Sequence, residues 1–185
     1  MSRSKAAPRR VVLVTGGGRS GKSRYALERA ALYAGRKAFV ATAEALDAEM
    51  RARIAEHRRA RGPRFDTLEA PLDLAGALRR IPPGTAVAVV DCLTVWLGNL
   101  MHHHGEGPQS YPETEAFVRA LGRPPCDLLV VSNEVGLGII PDNPMARRFR
   151  DLAGWLNQEV ARAADEVVLV VSGVPMTIKR KETIQ

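Results

Sequence analysis

Eight residues near the amino terminus carry the chemistry most readily read from this sequence: Gly16, Gly17, Gly18, Arg19, Ser20, Gly21, Lys22 and Ser23. They satisfy the pattern G-x-x-x-x-G-K-[ST] at every fixed position. Glycines let the backbone curl so that several N–H groups face one anion. The helix that follows adds its positive end. In this arrangement Lys22 reaches the terminal phosphates and the Ser23 hydroxyl meets a magnesium ion. A chance glycine-rich turn needs no strand before it and no helix after it, and this run has both. The expected ligand is a nucleoside triphosphate.

The elements that must hold this loop follow from the hydrophobic pattern. Val11–Thr15 is a short apolar strand, and 23–34 reads as a helix closed by Gly35. Further strands are expected over 37–41, 65–69, 86–91 and 127–132, with 166–172 as the last. Helices are expected over 44–61, 72–80, from 91 to about Met101, over 113–121 and over 146–163. His102 to Pro112 reads as a loop. Apolar strands alternating with helices imply an α/β fold, a doubly wound and mostly parallel sheet covered on both faces. Residues 1–185 read as a single phosphate-loop domain, with 1–10 as a basic extension. Ligands of such sheets bind at the carboxyl ends of the strands. Thr15, Ala41, Asp91, Ser132 and Ser172 fall at such ends.

Two residues outside the loop add to the chemistry. The strand ending at Asp91 places an acid where phosphate-loop enzymes hold magnesium, beside the loop serine. The same acid also suits a cap for the next helix. On the helix expected over 44–61, Leu46, Met50, Ile54 and His57 share one face. That spacing fits a core or edge histidine. It also fits a nucleophile, because the helix starts near the nucleotide edge and Arg58, Arg59 and Arg61 can hold phosphates. A neutral imidazole there can attack phosphorus and form a phosphoramidate. Asn133 and Glu134 follow the strand at 127–132, where they either line the substrate cleft or cap a loop.

Composition narrows the class. The 185 residues are 45% hydrophobic and 25% charged, ordinary for one globular domain. No run approaches the roughly 18 apolar residues of a membrane span, and the first ten residues lack a secretion signal's apolar core. A cytoplasmic protein is expected. Cys92 and Cys126 read as small buried hydrophobes. The net charge of +7 is concentrated at the ends, +4 in the first ten residues and +2 in the last seven. Ends of this kind fray, and the near-neutral body argues against specific nucleic-acid binding. Consecutive His102, His103 and His104 have poor spacing for one metal site.

Taken together, these segments resemble the bifunctional adenosylcobinamide kinase/adenosylcobinamide-phosphate guanylyltransferases of cobalamin biosynthesis. The matching stretches are 13–24, Ala41-Thr42-Ala43, 47–58, Thr67-Leu68-Glu69, Asp91-Cys92-Leu93-Thr94, 132–141, 147–157 and Val170-Val171-Ser172-Gly173. They span residues 11–179. The resemblance implies a RecA-like sheet, a homotrimer and two reactions. ATP or GTP phosphorylates the aminopropanol hydroxyl of adenosylcobinamide. GTP then guanylylates a histidine, and the cobinamide phosphate takes the GMP to give adenosylcobinamide-GDP. His57 matches the guanylylated histidine. Ala41, Thr42 and Ala43, then Arg58, Arg59, Ala60 and Arg61, and also Glu69 and Asp91, match further nucleotide contacts. Glu56 stands where some relatives carry another histidine, which leaves one candidate nucleophile.

Three other classes make different demands. A regulatory GTP switch needs Asn-Lys-x-Asp to read guanine, and the sequence has none. A plain small-molecule kinase phosphorylates but forms no protein–GMP adduct. A nucleic-acid-dependent ATPase turns over faster with DNA or RNA.

Overall fold

The structure, a computed structural model, describes residues 9–45, 51–52, 55, 58–59, 62–105 and 110–181. Its strands are β1 (Val11–Thr15), β2 (Arg36–Ala41), β3 (Asp66–Glu69), β4 (Thr85–Asp91), β5 (Asp127–Val131), β6 (Glu166–Val171) and β7 (Val174–Arg180). The labelled helices are α1 (Lys22–Ala31), α2 (Leu74–Arg79), α3 (Leu93–His104), α4 (Pro112–Ala120) and α5 (Pro144–Ala163). All seven strands join one sheet in the order β3-β2-β4-β5-β1-β6-β7. Every pairing is parallel except β6 with β7.

Alternation along the strands splits the core into two layers. Val11 and Leu13 face one side with Trp96, Phe117 and Leu156, beneath α2 to α5. Val12 and Val14 face the other with Ala26 and Ala30 of α1. The period of two in each strand thus supplies both faces of the doubly wound sheet. Trp96 is fully buried and donates its indole N–H to the Leu72 carbonyl at 2.7 Å.

The structure differs from the sequence-based expectation in three places. First, β7 is an additional strand. Ser172 (φ 50°) and Gly173 (φ 83°) form the two-residue turn of a β6–β7 hairpin. Its basic residues are therefore not a frayed end. Lys179 Nζ donates to the carbonyls of Ala161 (2.5 Å) and Ala164 (2.7 Å), closing the C-terminus of α5. Arg9 and Arg10 are likewise tied to the Pro124 carbonyl and Asp127. Second, His102, His103 and His104 are not loop residues but the last turn of α3. The helix stops at Gly105 (φ 77°), and histidines suit a helix C-terminus. His103 and His104 face Glu44 and Glu113, each at 3.1 Å. Third, residues 42–45 are not helical, while Arg51, Ala52, Ala55, Arg58 and Arg59 are.

One buried ion pair fastens α1 to the sheet. Arg29 donates from both terminal nitrogens to Glu166, each bond 2.8 Å long. These hydrogen bonds hold the Glu166 carboxyl below its ordinary range. A carboxyl lowered on folding stabilises the protein above its unfolded titration range, and that stability is lost as pH falls through the folded value. Glu166→Gln leaves the Arg29 charge uncompensated. The expected result is a loss of about 3 kcal/mol at neutral pH, with a flatter acid limb, measured by denaturant unfolding across pH.

Candidate active site

The phosphate loop curls where its glycines permit. Gly16 has φ 146° and Gly21 has φ 98°, and Arg19 also adopts a positive φ of 56°. A Cβ on Gly16 would sit 2.3 Å from the Val170 carbonyl oxygen. The β6–β7 turn also braces the loop, through a 2.8 Å bond from the Gly173 N–H to the Ser20 carbonyl. Sequence reading missed this brace, although Ser-Gly between two apolar runs is a hairpin signal. Gly16→Ala must push β6 away in a backbone region unfavourable to side chains. It should cost about 3 kcal/mol of unfolding free energy, measured by chemical denaturation, and weaken triphosphate binding in parallel.

Lys22 opens α1 and is only 6% exposed. Its Nζ donates to the Gly17 carbonyl at 2.5 Å and reaches Ser20 Oγ at 3.5 Å. Burial lowers its pKa from the ordinary lysine value, while the acidic groups Asp91 and Glu134 act to raise it. The ammonium is therefore held inside the curl of backbone with acidic groups behind it. A triphosphate would complete that arrangement.

Sheet register explains how residues far apart in sequence meet this loop. Glu69, Ala41 and Asp91 lie side by side as Cα partners across β3, β2 and β4, and Asp91 pairs on with Val131. The acid at Asp91 and the loop at β1 are separated by one strand, β5. The residues after β5 therefore enter the site. Glu134 donates its N–H to the Gly16 carbonyl at 3.0 Å. Its Oε1 accepts from Thr15 Oγ1 at 2.5 Å and from Asn157 Nδ2 at 3.2 Å. Asn157 also binds the Asn133 carbonyl and Ser132 Oγ, and Asn133 donates to Thr94. Glu134 thus sits against the phosphate loop, held by Gly16, Thr15 and Asn157.

Thr42 is fully buried and bonded to both the N–H and the C=O of Cys92, and Asn99 donates to its carbonyl. Its side chain is thus committed to joining β2 and β4, which leaves Ala41 and Ala43 flanking a fixed backbone corner. Arg58 forms an ion pair with Glu69 on the exposed edge, and Arg59 is exposed. His57, Ala60 and Arg61 lie outside the described residues. Ser23, the next residue of α1, is half-buried. Cys92 and Cys126 are buried and unpaired, as expected of small hydrophobes. Burial raises both thiols, Cys126 to about 11, so neither is a ready nucleophile.

A serine hydroxyl and a carboxylate are hard oxygen donors that suit magnesium shared with phosphates. Among the described residues no group of three or more His, Cys, Asp or Glu gathers as a protein cage. No described helix is long and apolar enough to cross a membrane.

Comparison with known proteins agrees with this geometry. Two solved structures share the RecA-like arrangement. The RadB recombinase is 19% identical, with 86% of this chain and 73% of that chain covered and a TM-score of 0.50. The flagellar accessory protein FlaH from Methanocaldococcus jannaschii is 10% identical, with 95% and 82% covered and a TM-score of 0.50. At these identities they speak for the fold alone. Sequence relatives are nearer. The bifunctional adenosylcobalamin biosynthesis protein CobP of Pseudomonas aeruginosa is 45% identical over 168 residues, 90% of this chain and 96% of that protein. The corresponding CobU proteins of Escherichia coli and Salmonella typhimurium are 38% and 39% identical, each with 91% of this chain and 99% of the relative covered. Residues 12–178 match the family described as cobinamide kinase / cobinamide phosphate guanyltransferase. With a phosphate loop built on β1 and its acid two strands away, this chain belongs to that family of enzymes.

Proposed function

We propose that the chain carries out both reactions on adenosylcobinamide at the carboxyl edge of its sheet. In the first, the aminopropanol oxygen bonds to the γ-phosphorus of ATP or GTP, and the bond to the β-phosphate oxygen breaks. Lys22 and the loop N–H groups stabilise the charge on the transferring group. Glu134 orients the hydroxyl and takes its proton. In the second, a ring nitrogen of His57 bonds to the α-phosphorus of GTP and pyrophosphate leaves. The cobinamide phosphate oxygen then displaces the imidazole and carries off GMP. Two displacements, each with a stable leaving group, replace one harder transfer.

Ser23 and Asp91 would hold magnesium, which supplies charge neutralisation at the phosphates when bound. Glu69, paired with Arg58, together with Ala41 to Ala43, Arg59, Ala60 and Arg61, forms the nucleotide's further surroundings in this reading. The chain acts as a cytoplasmic homotrimer. Val174, Met176 and Ile178 are more than half exposed on edge strand β7, a surface suited to contact between copies.

The observation that carries the reading is Lys22 held at the loop, with Glu134 and Asp91 beside it, in a chain of this family. The test is incubation of the protein with adenosylcobinamide, magnesium and ATP or GTP, followed by mass spectrometry. The expected products are cobinamide phosphate and, with GTP, adenosylcobinamide-GDP with pyrophosphate. Triphosphate hydrolysis with an unmodified corrinoid would refute it. Glu134→Gln should lower phosphorylation roughly a hundredfold and leave the protein–GMP adduct intact. Equal losses in both would make Glu134 a structural residue.

A further inference from the structure

A cavity of about 660 Å³ lies on α5, among Ser110, Arg147, Arg148, Asp151, Leu152 and Trp155. It is outside the nucleotide site, on the face of the sheet covered by α2 to α5 and opposite α1. Helix α5 runs against the strands. Its Asn157 meets Asn133 and Glu134 at the carboxyl edge, and its far end leads to Asp165, which bonds to Val11 at the opposite edge. The residues before Asn157 therefore project beyond the carboxyl edge. At about 1.5 Å per residue, Arg148 stands roughly 13 Å along the helix from Asn157.

The polar groups of this cavity are unequal. Arg147 donates to the Pro141 and Asp142 carbonyls at 3.0 and 2.7 Å and so fixes the preceding loop to the helix. Arg150 pairs with Asp151. Arg148, by contrast, has two guanidinium nitrogens, Nε and Nη2, that are buried with no partner among the described residues. A guanidinium cannot shed its charge, and buried donors left unmade are costly. Swinging these nitrogens toward the cavity breaks no hydrogen bond of theirs and lets them meet an acceptor.

The approach to the cavity is apolar. The segment from Glu134 to α5 exposes Leu137, Ile139 (97% exposed), Ile140 and Met145. It begins at the phosphate loop and ends at the cavity. A ligand matching this sequence of surfaces has a reacting hydroxyl at one end, a broad apolar body, and carbonyl acceptors on its rim. A corrinoid bearing amide side chains and an alcohol arm has that form.

We propose that this cavity and the apolar segment before α5 seat the macrocycle of the acceptor, with Arg148 donating to its peripheral amide carbonyls. The inference rests on cobinamide being the acceptor. It assigns acceptor recognition to α5, separate from the groups that handle the nucleotide.

Two variants test it. Arg148→Met keeps the apolar stem and removes the donors; Ile139→Asp alters a side chain that packs on nothing. Both should raise the KM for adenosylcobinamide in phosphorylation by about tenfold or more. Both should weaken corrinoid binding, followed by absorbance in equilibrium dialysis. Both should form the protein–GMP adduct from GTP alone at the wild-type rate. An unchanged KM and unchanged dialysis in Arg148→Met would overturn the inference. So would loss of the adduct, or a change in subunit number in place of a change in KM. Wild-type protein that phosphorylates no cobinamide would instead sink the functional reading beneath it.

Discussion

Lys22→Met should lower phosphoryl transfer and guanylyl transfer together, each by roughly a thousandfold. The lysine is the first residue of α1 and has little exposure, and its ammonium rests on the Gly17 carbonyl inside the loop. Both reactions need a triphosphate anchored at that point. The substitution should not unfold the protein. Burial lowers the pKa of Lys22, so the folded state binds this proton less tightly than the unfolded state, and stability due to this group rises with pH through that window. A methionine of similar length removes the buried charge and fills the space. Thermal unfolding should therefore be unchanged or slightly higher while both activities vanish. The same lowered pKa gives a sign for pH dependence. Phosphate binding needs the ammonium, so triphosphate affinity should decline on the alkaline side at a lower pH than an ordinary lysine would set. Activity loss accompanied by an equal loss of stability would show that Lys22 only supports the loop.

His57→Asn should separate the two reactions. Guanylyl transfer should fall by roughly a thousandfold or more, because no other imidazole is offered in that segment. Phosphorylation of adenosylcobinamide should remain within a few-fold of wild type. The neighbouring contacts favour this reading. Arg58 is tied to Glu69, and Glu69 lies in register with Ala41 and Asp91 at the nucleotide edge. Arg58, the next residue in sequence after His57, is thus tied to the carboxyl edge of the sheet. The measurement is a pair of steady-state assays on one preparation, cobinamide phosphate formed with ATP against adenosylcobinamide-GDP formed with GTP. Parallel losses would contradict a role confined to the transferase half.

The parts of the fold and site that were legible in sequence share a physical feature: each is local. The phosphate loop is eight consecutive residues whose glycines, lysine and serine dictate their own geometry. Strands β1, β4 and β5 are apolar runs of the length a doubly covered sheet requires. The misread parts depend on partners distant in the chain. Strand β7 contains Pro175 and ends in Lys179 and Arg180, so it resembles a basic tail until Lys179 is seen capping α5. His102 to His104 look like a loop because nothing local shows that Gly105, rather than the first histidine, ends α3. The contact between Thr15 and Glu134 spans 119 positions. It exists because β5 is inserted between β1 and β4, an ordering that the strand pattern alone leaves undetermined. Asn157 and Arg148 were invisible for the same reason, since a polar residue on a long amphipathic helix gains meaning only from what the helix packs against.

The most direct measurement is labelling with GTP carrying a radioactive α-phosphate, in magnesium and without corrinoid. The account predicts protein-bound label that survives denaturation, is labile in acid and stable in base, and maps to the peptide containing His57. Unlabelled wild-type protein under these conditions, or His57→Asn protein labelled as strongly as wild type, would contradict it.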